Sequence, residues 1–322
     1  MKIALCFIIN YEHILNKENI WRKWIEANED IINVYFFYET KEKIKSEWIL
    51  KHTISPAFIY NTSYFNVVPA YMGLMRYAYI TDNTNQWFCF LTDSCCPIIS
   101  PKKFRYLFFK YYNKSIFSWK YAWWNVMIHT RANLRLLPDK LKLANDPYFT
   151  LKREDVFICL QFLKHNMQLS NTIIQGGLAN ESFFAIALKY YNKLNHTICK
   201  PTHMVDWARM TSSTSPHTFY EDTDENRLFI ENNKTNKFNM FIRKISPEYP
   251  DDLLNDYIYK YSKNDDDKLV IYYPFIYFYR KYKYLLWTIL FFGCFIPPMS
   301  DFYYNVIYNI CVLLKMAHWS LV

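Results

Sequence analysis

Lys2–Ile9 reads KIALCFII, seven apolar residues behind a single lysine. A run of this kind has no period of two, so it describes a strand covered on both faces, as in a parallel sheet. The period then changes. In Asn19–Ala27 (NIWRKWIEA), Ile20, Trp21, Trp24 and Ile25 fall on one stripe of a helix. Ile32–Tyr38 (INVYFFY) returns to strand composition and ends in Glu39-Thr40-Lys41. Strand, helix and strand within so short a span make the unit of a Rossmann-like α/β half.

Working outward, Val67–Ala78 predicts a helix, and Trp87–Leu91 (WFCFL) a third buried strand running into Thr92-Asp93-Ser94-Cys95-Cys96-Pro97. In open α/β sheets ligands bind beyond the carboxyl ends of the strands, so Asn10, Glu39 and Asp93 are expected at one crevice. Helices are also predicted over about 101–112, Arg153–His165 and Glu181–Leu194, with an irregular Trp-rich stretch after the first and a loop from 166 to 180. The expected fold class is α/β with a mostly parallel central sheet. Residues 1–100 form the nucleotide-binding half, 101–270 the second half and 271–322 a hydrophobic tail.

Composition narrows the function classes. A hydrophobic fraction of 52% with 20% aromatics excludes general disorder in this chain of 322 residues. Gly73, Gly176, Gly177 and Gly293 are the only glycines, too few at the wrong spacings for a Walker or dinucleotide phosphate loop. The net charge of +9 suits an anionic partner, yet the lysines are scattered among carboxylates rather than gathered into an arm, which argues against nucleic acid. None of the eight cysteines forms a CxxC pair, and several sit in apolar runs, so reduced buried thiols are favoured over disulfides or structural zinc.

The first residues are strand-like with no small-residue cleavage site, so no signal peptide is expected. Tyr284–Pro298 and Phe302–Leu314 are uncharged but shorter than the roughly 20 residues of a spanning helix. A membrane anchor and a pair of core helices both remain open for them. Arg280, Lys281 and Lys283 precede the tail and would keep the preceding domain cytosolic, which gives a membrane-associated protein with the Golgi or ER lumen as the alternative compartment.

Chemistry is harder to find. Asp93 follows a buried strand at the expected crevice, but Cys95 stands where an Asp-x-Asp metal site would need its second carboxylate. With no metal implied, fixed cations would have to neutralise a leaving diphosphate, and Arg243-Lys244 in FNMFIRKIS suits that role. Glu181 in GGLANESFFAIALKYY reads first as a first-turn helix glutamate behind an Asn180 N-cap. His203 and His217 make no metal-binding spacing, and no GxSxG elbow is present. Trp123, Trp124 and Trp207 could stack on sugar faces or pack in the core. Val205–Phe219 (VDWARMTSSTSPHTF) fits neither the helical nor the strand period.

In their order along the chain these pieces resemble the core-2/I-branching β-1,6-N-acetylglucosaminyltransferase family, with its xylosyltransferase and plant relatives. KIALCFII resembles its first strand, INVYFFYETKEK its second, WFCFLTDSCCPI the third strand and turn, and PYFTLKREDVFICL a later segment. LANESFFAIAL is similar to the family's catalytic segment, VDWARMTSSTSPHTF to a motif of the plant relatives, and MFIRKIS to the family's basic segment. The resemblance covers about 1–247. It implies a variant of the glycosyltransferase A fold that works without a metal or other cofactor. Glu181 becomes the general base, Glu39 lies near the donor's uridine, and Lys244 contacts the diphosphate. Asp93, Ser94 and Trp207 join the donor site, with Arg243 or Arg209 as a second cation. The implied reaction is inverting transfer of N-acetylglucosamine or xylose from a UDP-sugar to a glycan or glycoprotein hydroxyl. Asn180 stands where the family has an aspartate, and Thr211-Ser212 where the plant relatives have paired glycines. Those departures keep a catalytically inactive sugar-nucleotide-binding protein of the same fold as the alternative.

Overall fold

The computed structural model describes residues 1–9, 12–63, 65–212 and 215–260. Asn10 and the tail over 271–322, anchor or not, lie outside the described residues. Along the chain run β1 (Lys2–Ile8), α1 (Glu18–Glu26), β2 (Ile32–Phe37), α2 (Glu47–Lys51), α3 (Val68–Thr81), β3 (Asn85–Thr92), β4 (Cys96–Pro97) and α4 (Pro101–Tyr111). Then follow β5 (Trp119–Tyr121), β6 (Leu143–Asn145), β7 (Thr150–Lys152), α5 (Arg153–His165), α6 (Met167–Ile174), α7 (Phe183–Tyr190), β8 (His203–Val205), α8 (Asp224–Asn233), β9 (Phe241–Arg243) and α9 (Asp251–Asn255).

The central sheet has the order β2-β1-β3-β7. β1 pairs in parallel with both β2 and β3, and β7 closes the far edge antiparallel to β3. This is the mixed α/β arrangement with a mostly parallel sheet that the apolar runs imply. Because β1 has strands on both sides, alternate residues must be apolar in both directions. Ile3, Leu5 and Phe7 enter one core with the α1 stripe of Ile20, Trp21, Trp24 and Ile25. Ala4 and Cys6 face the other core, with Leu74, Met75 and Ala78 of α3. Right-handed crossovers put α1 and α3 on opposite faces when the chain moves outward from β1 in opposite directions. The strand order therefore reverses at β1, and the switch point where open α/β sheets bind ligands lies between β1 and β3.

A second sheet, β4-β9-β8, continues from the end of β3. β8 and β9 are parallel and β4 runs against β9, so Cys96 opposes Ile242 and His203 opposes Phe241. Trp21 ties the two sheets: its ring meets Phe7 edge-on at 4.9 Å and lies 5.7 Å from Phe241, and its Nε1 donates to the Cys95 carbonyl at 2.9 Å. The buried Lys17 ammonium donates to the Pro247 carbonyl at 2.7 Å, to the Tyr249 carbonyl and to the Asp251 carboxylate at 2.8 Å. The start and the end of the described fold are thus stitched together.

Two sequence expectations are corrected. The loop expected over 166–180 contains α6, whose single buried apolar residue Ile173 and buried Ser170 give too short a stripe to register as a helical period. The helix expected over Glu181–Leu194 is shorter at both ends. Ala179–Glu181 is a 3₁₀ turn, Ser182 breaks it at φ −146°, and α7 begins at Phe183. Asn180 is therefore no N-cap; it is buried inside the turn. At the other end Asn192 adopts φ 57°, its amide donates to Lys189 and that of Lys193 to Leu188 at 2.8 Å. This paired bonding is a Schellman cap, which ends the helix before Leu194.

Candidate active site

The turn after β3 is the centre of the site. Ser94 N donates to the Asp93 carboxylate at 2.9 Å, and Cys95 N to the Thr92 carbonyl at 3.1 Å, so the chain reverses within three residues and enters β4. Two other segments bond directly to this turn. Asn16, in the loop after β1, donates its amide to the Asp93 carbonyl at 3.0 Å and its side chain to the Ile245 carbonyl at 2.8 Å. Ile245, just past β9, donates to the Ser94 carbonyl at 2.8 Å. The loop after β2 joins through His13, whose Nε2 accepts from the Thr40 amide at 2.8 Å.

The aperiodic stretch from Val205 to Phe219 has a physical explanation. It leaves β8, turns on the Asp206 carboxylate and returns beside β9. Asp206 accepts from the amides of Ala208 and Arg209 at 2.9 and 3.1 Å, and from Arg209 Nε at 2.6 Å. Burial works against the charge of Asp206, but these donors hold its carboxyl below the usual range. His217 N then donates to the Asp206 carbonyl and Phe219 N to the Lys244 carbonyl at 2.8 Å, while Ser246 N donates to Phe219. Residues 215–219 thus run beside Lys244 and Ile245, just past β9.

Those two cations differ from the surface lysines. Arg243 is only 9% exposed, its guanidinium lies 4.1 Å from the centre of the Tyr148 ring and donates to the Tyr148 hydroxyl, and its Nε has no hydrogen-bond partner. Among the described residues no carboxylate forms an ion pair with it. Lys244 donates to the Ser215 hydroxyl. Burial, and then the neighbouring Arg243 charge, push the Lys244 ammonium down, with Asp93 opposing. Asp93 is the counterpart: burial raises its carboxyl despite Arg243 and Lys244. Two cations against one carboxylate leave an excess of positive charge in largely buried surroundings, an electrostatic condition that favours an anion.

Glu181 lies beyond Tyr71. The Tyr71 hydroxyl donates to the Pro147 carbonyl at 2.6 Å, and burial makes it a much weaker acid than an ordinary tyrosine, Arg243 opposing and Glu181 adding to the shift. Tyr71 is thus within electrostatic reach of both groups. Two loops with left-handed residues position Glu181. Leu178 (φ 55°) turns the chain into the 3₁₀ turn, and Ala132 and Asn133 (φ 50° and 49°) bend the facing loop, where Ala132 N donates to the Gly177 carbonyl at 2.9 Å. Gly176 allows this approach, since a Cβ there would sit 2.2 Å from the Asn133 nitrogen. Arg131, leading that loop, reaches Glu181 Oε2 at 3.4 Å and lies over the Trp124 ring. Asn145 braces the turn from below, donating to the Asn180 carbonyl at 2.9 Å and accepting from Ala185 N. Burial raises the Glu181 carboxyl, Arg131 counteracts it and Asp146 adds to it.

Asp93, Ser94, Arg243 and Lys244 therefore gather at the turn after β3, and Glu181 stands apart from them across Tyr71, on the turn that faces Arg131. Glu39 is exposed at the end of β2 and makes no hydrogen bond or ion pair with them. Trp207 is half exposed on the Asp206 turn. Arg209 is engaged by Asp206 and by Glu225 at 3.2 Å, which leaves Arg243 as the better-placed second cation. His203 is buried between Tyr148 and Phe241, and burial pushes its imidazole down to about 3, so it is uncharged near neutral pH. Cys6, Cys89, Cys95, Cys96 and Cys159 are free buried thiols. Among the described residues no three His, Cys, Asp or Glu side chains converge as metal ligands, and no helix is long and apolar enough to cross a membrane.

Sequence reasoning missed Tyr71, Arg131, Tyr148 and Ser215. Tyr71 and Tyr148 sit in apolar surroundings and look like core residues, and Arg131 reaches Glu181 only because two irregular loops touch. No protein-family model matches the chain, and no curated protein matches it, so the chemistry of these residues carries the functional reading.

Proposed function

We propose that the chain is an inverting glycosyltransferase of the glycosyltransferase A kind, moving N-acetylglucosamine or xylose from a UDP-sugar to a hydroxyl of a glycan or glycoprotein. The observation that carries the reading is the buried Arg243 and the half-buried Lys244 beside Asp93, beyond the carboxyl end of β3, with Glu181 on a separate turn across Tyr71. A diphosphate would satisfy the excess cation charge and the unpartnered Arg243 Nε. The uridine would lie toward the loops after β1 and β2.

In this reading Glu181 takes the proton of the acceptor hydroxyl as its oxygen forms a bond to the anomeric carbon. The bond from that carbon to the diphosphate oxygen breaks on the opposite face, and UDP leaves with the electron pair. Lys244 and Arg243 stabilise the charge that develops on it, the part a divalent cation plays in other transferases. Burial strengthens Glu181 as a base, and Arg131 keeps it ionised.

The test is UDP release from a panel of UDP-sugars with EDTA present, comparing wild type with Glu181→Gln. Loss of about 10²- to 10⁴-fold in the variant, with UDP binding retained, is expected of a general base. Undiminished turnover in Glu181→Gln would refute the assignment. A second reading, sugar-nucleotide binding without transfer, is favoured by one observation, the Arg131 guanidinium already paired with Glu181. It predicts donor binding with no release from any donor.

A further inference from the structure

Residues 121–128 leave β5, bend at Trp124 and close in a turn over 126–128, with an anomalous outer row. Ala122, Trp124 and Val126 point inward and pack against the core. Outward-facing residues of a surface segment are mostly polar. Here they are Tyr121, Trp123, Asn125 and Met127, of which only Asn125 is an ordinary polar residue, followed by Ile128 in the turn, and all five are exposed. Trp123 is 62% exposed and Ile128 73%, the latter the most exposed large apolar side chain among the described residues. The row is held in place rather than loosely attached. Asn125 accepts from Met127 N through its side chain at 3.0 Å, and from Ile128 N and His129 N through its carbonyl at 3.2 and 3.0 Å.

Basic residues flank this apolar tip along the chain, Arg131 and Lys142 among them already paired with Glu181 and Asp139. The Lys120 ammonium sits 3.9 Å over the Trp123 ring. Between 119 and 142 there are five lysines and arginines (Lys120, Arg131, Arg135, Lys140, Lys142) against one acid, Asp139, so the segment holds 5 − 1 = +4 of the chain's +9. Sugar rings stack on aromatic faces but gain little from Met127 or Ile128. An anionic bilayer offers both an apolar layer and a plane of phosphates, and matches aromatic, aliphatic and basic groups arranged together on one loop.

We infer that the 121–128 loop is a membrane-docking surface that inserts Trp123, Met127 and Ile128 among the headgroups of anionic lipids, with Lys120 and Arg135 on the phosphates. Arg131, three residues on, touches Glu181, so docking holds the candidate base near the lipid surface. The inference is independent of the transferase reading. Under that reading, it would select acceptors carried on the membrane.

The test uses the full chain with a photo-crosslinking p-benzoylphenylalanine placed at Trp123 or Ile128, and as controls at Met167 or Leu228, both also strongly exposed. Each protein is irradiated with vesicles of phosphatidylcholine and phosphatidylserine. Because the positions are compared within one chain, membrane binding by residues 271–322 affects all of them alike. Lipid adducts several-fold more abundant at 123 and 128 than at 167 and 228, and reduced by high salt, are expected. Equal yields at all four positions, adducts only to protein, or no association with the vesicles would each overturn the proposal.

Discussion

Arg131 and Glu181 are 50 residues apart in the chain and 3.4 Å apart in the fold, the guanidinium resting on the carboxylate from a facing loop. Burial makes Glu181 hold its proton to higher pH than an ordinary carboxyl, and Arg131 is the largest influence opposing that. The pair therefore sets the pH range in which Glu181 is an available base.

Transfer should rise with pH on an acidic limb above the ordinary carboxylate range. The variant Arg131→Ala removes the opposing charge, so its limb should move to still higher pH. A pH profile of kcat/KM reads this directly. A limb that stays in place would show that Arg131 does not act through Glu181.

Lys244→Met keeps the aliphatic stem and removes the charge. Loss of one charged hydrogen-bond donor on a diphosphate corresponds to about 1.5–3 kcal/mol, or roughly 10- to 150-fold weaker UDP binding by titration calorimetry. Unchanged UDP affinity would remove Lys244 from the donor site.

Gly176 and Gly177 provide a matched pair. An alanine Cβ at 176 would meet the Asn133 nitrogen at 2.2 Å and the Ala132 carbonyl carbon at 2.5 Å, whereas at 177 it meets nothing within 4 Å. Gly176→Ala should cost about 1–3 kcal/mol in denaturant unfolding and shift Arg131 away from Glu181. Gly177→Ala should be close to neutral.

Asp206 is the hinge of the aperiodic stretch. Its folded carboxyl lies below the usual value of 3.8. A depressed carboxyl contributes stability that is present above the unfolded value and lost as pH falls through the lower folded one. Asp206→Ala should therefore lose about 1–2 kcal/mol near neutral pH, comparable to a lost cap. The difference from wild type should shrink below pH 3.8, which urea unfolding at several pH values would show.

Much of the framework was legible because burial on two faces writes itself into sequence. KIALCFII and WFCFL can be little other than inner parallel strands, and Arg153–His165 is a helix with the bounds its stripe implies. Arg243-Lys244 could be singled out because it follows a buried strand. Arg131 could not, since its meeting with Glu181 depends on left-handed turns at Ala132, Asn133 and Leu178, residue types that give no sign of such geometry. The start of α7 was misjudged for a related reason. Asn180 is a good cap by composition, but its neighbours need it buried, with Asn145 holding its carbonyl.

The bonds from Lys17 to Pro247, Tyr249 and Asp251 close a gap of at least 230 residues. During synthesis the parallel strands and α1 emerge early, yet the partners of Lys17, and the Phe241 ring that covers Trp21 and Trp24, emerge far later. The nascent chain must carry an uncovered tryptophan face on the ribosome for most of its translation, a surface that invites chaperones. The cluster of Asp93, Arg243 and Lys244 cannot assemble before residue 244 is free of the exit tunnel, so truncated products would hold the parallel sheet without it.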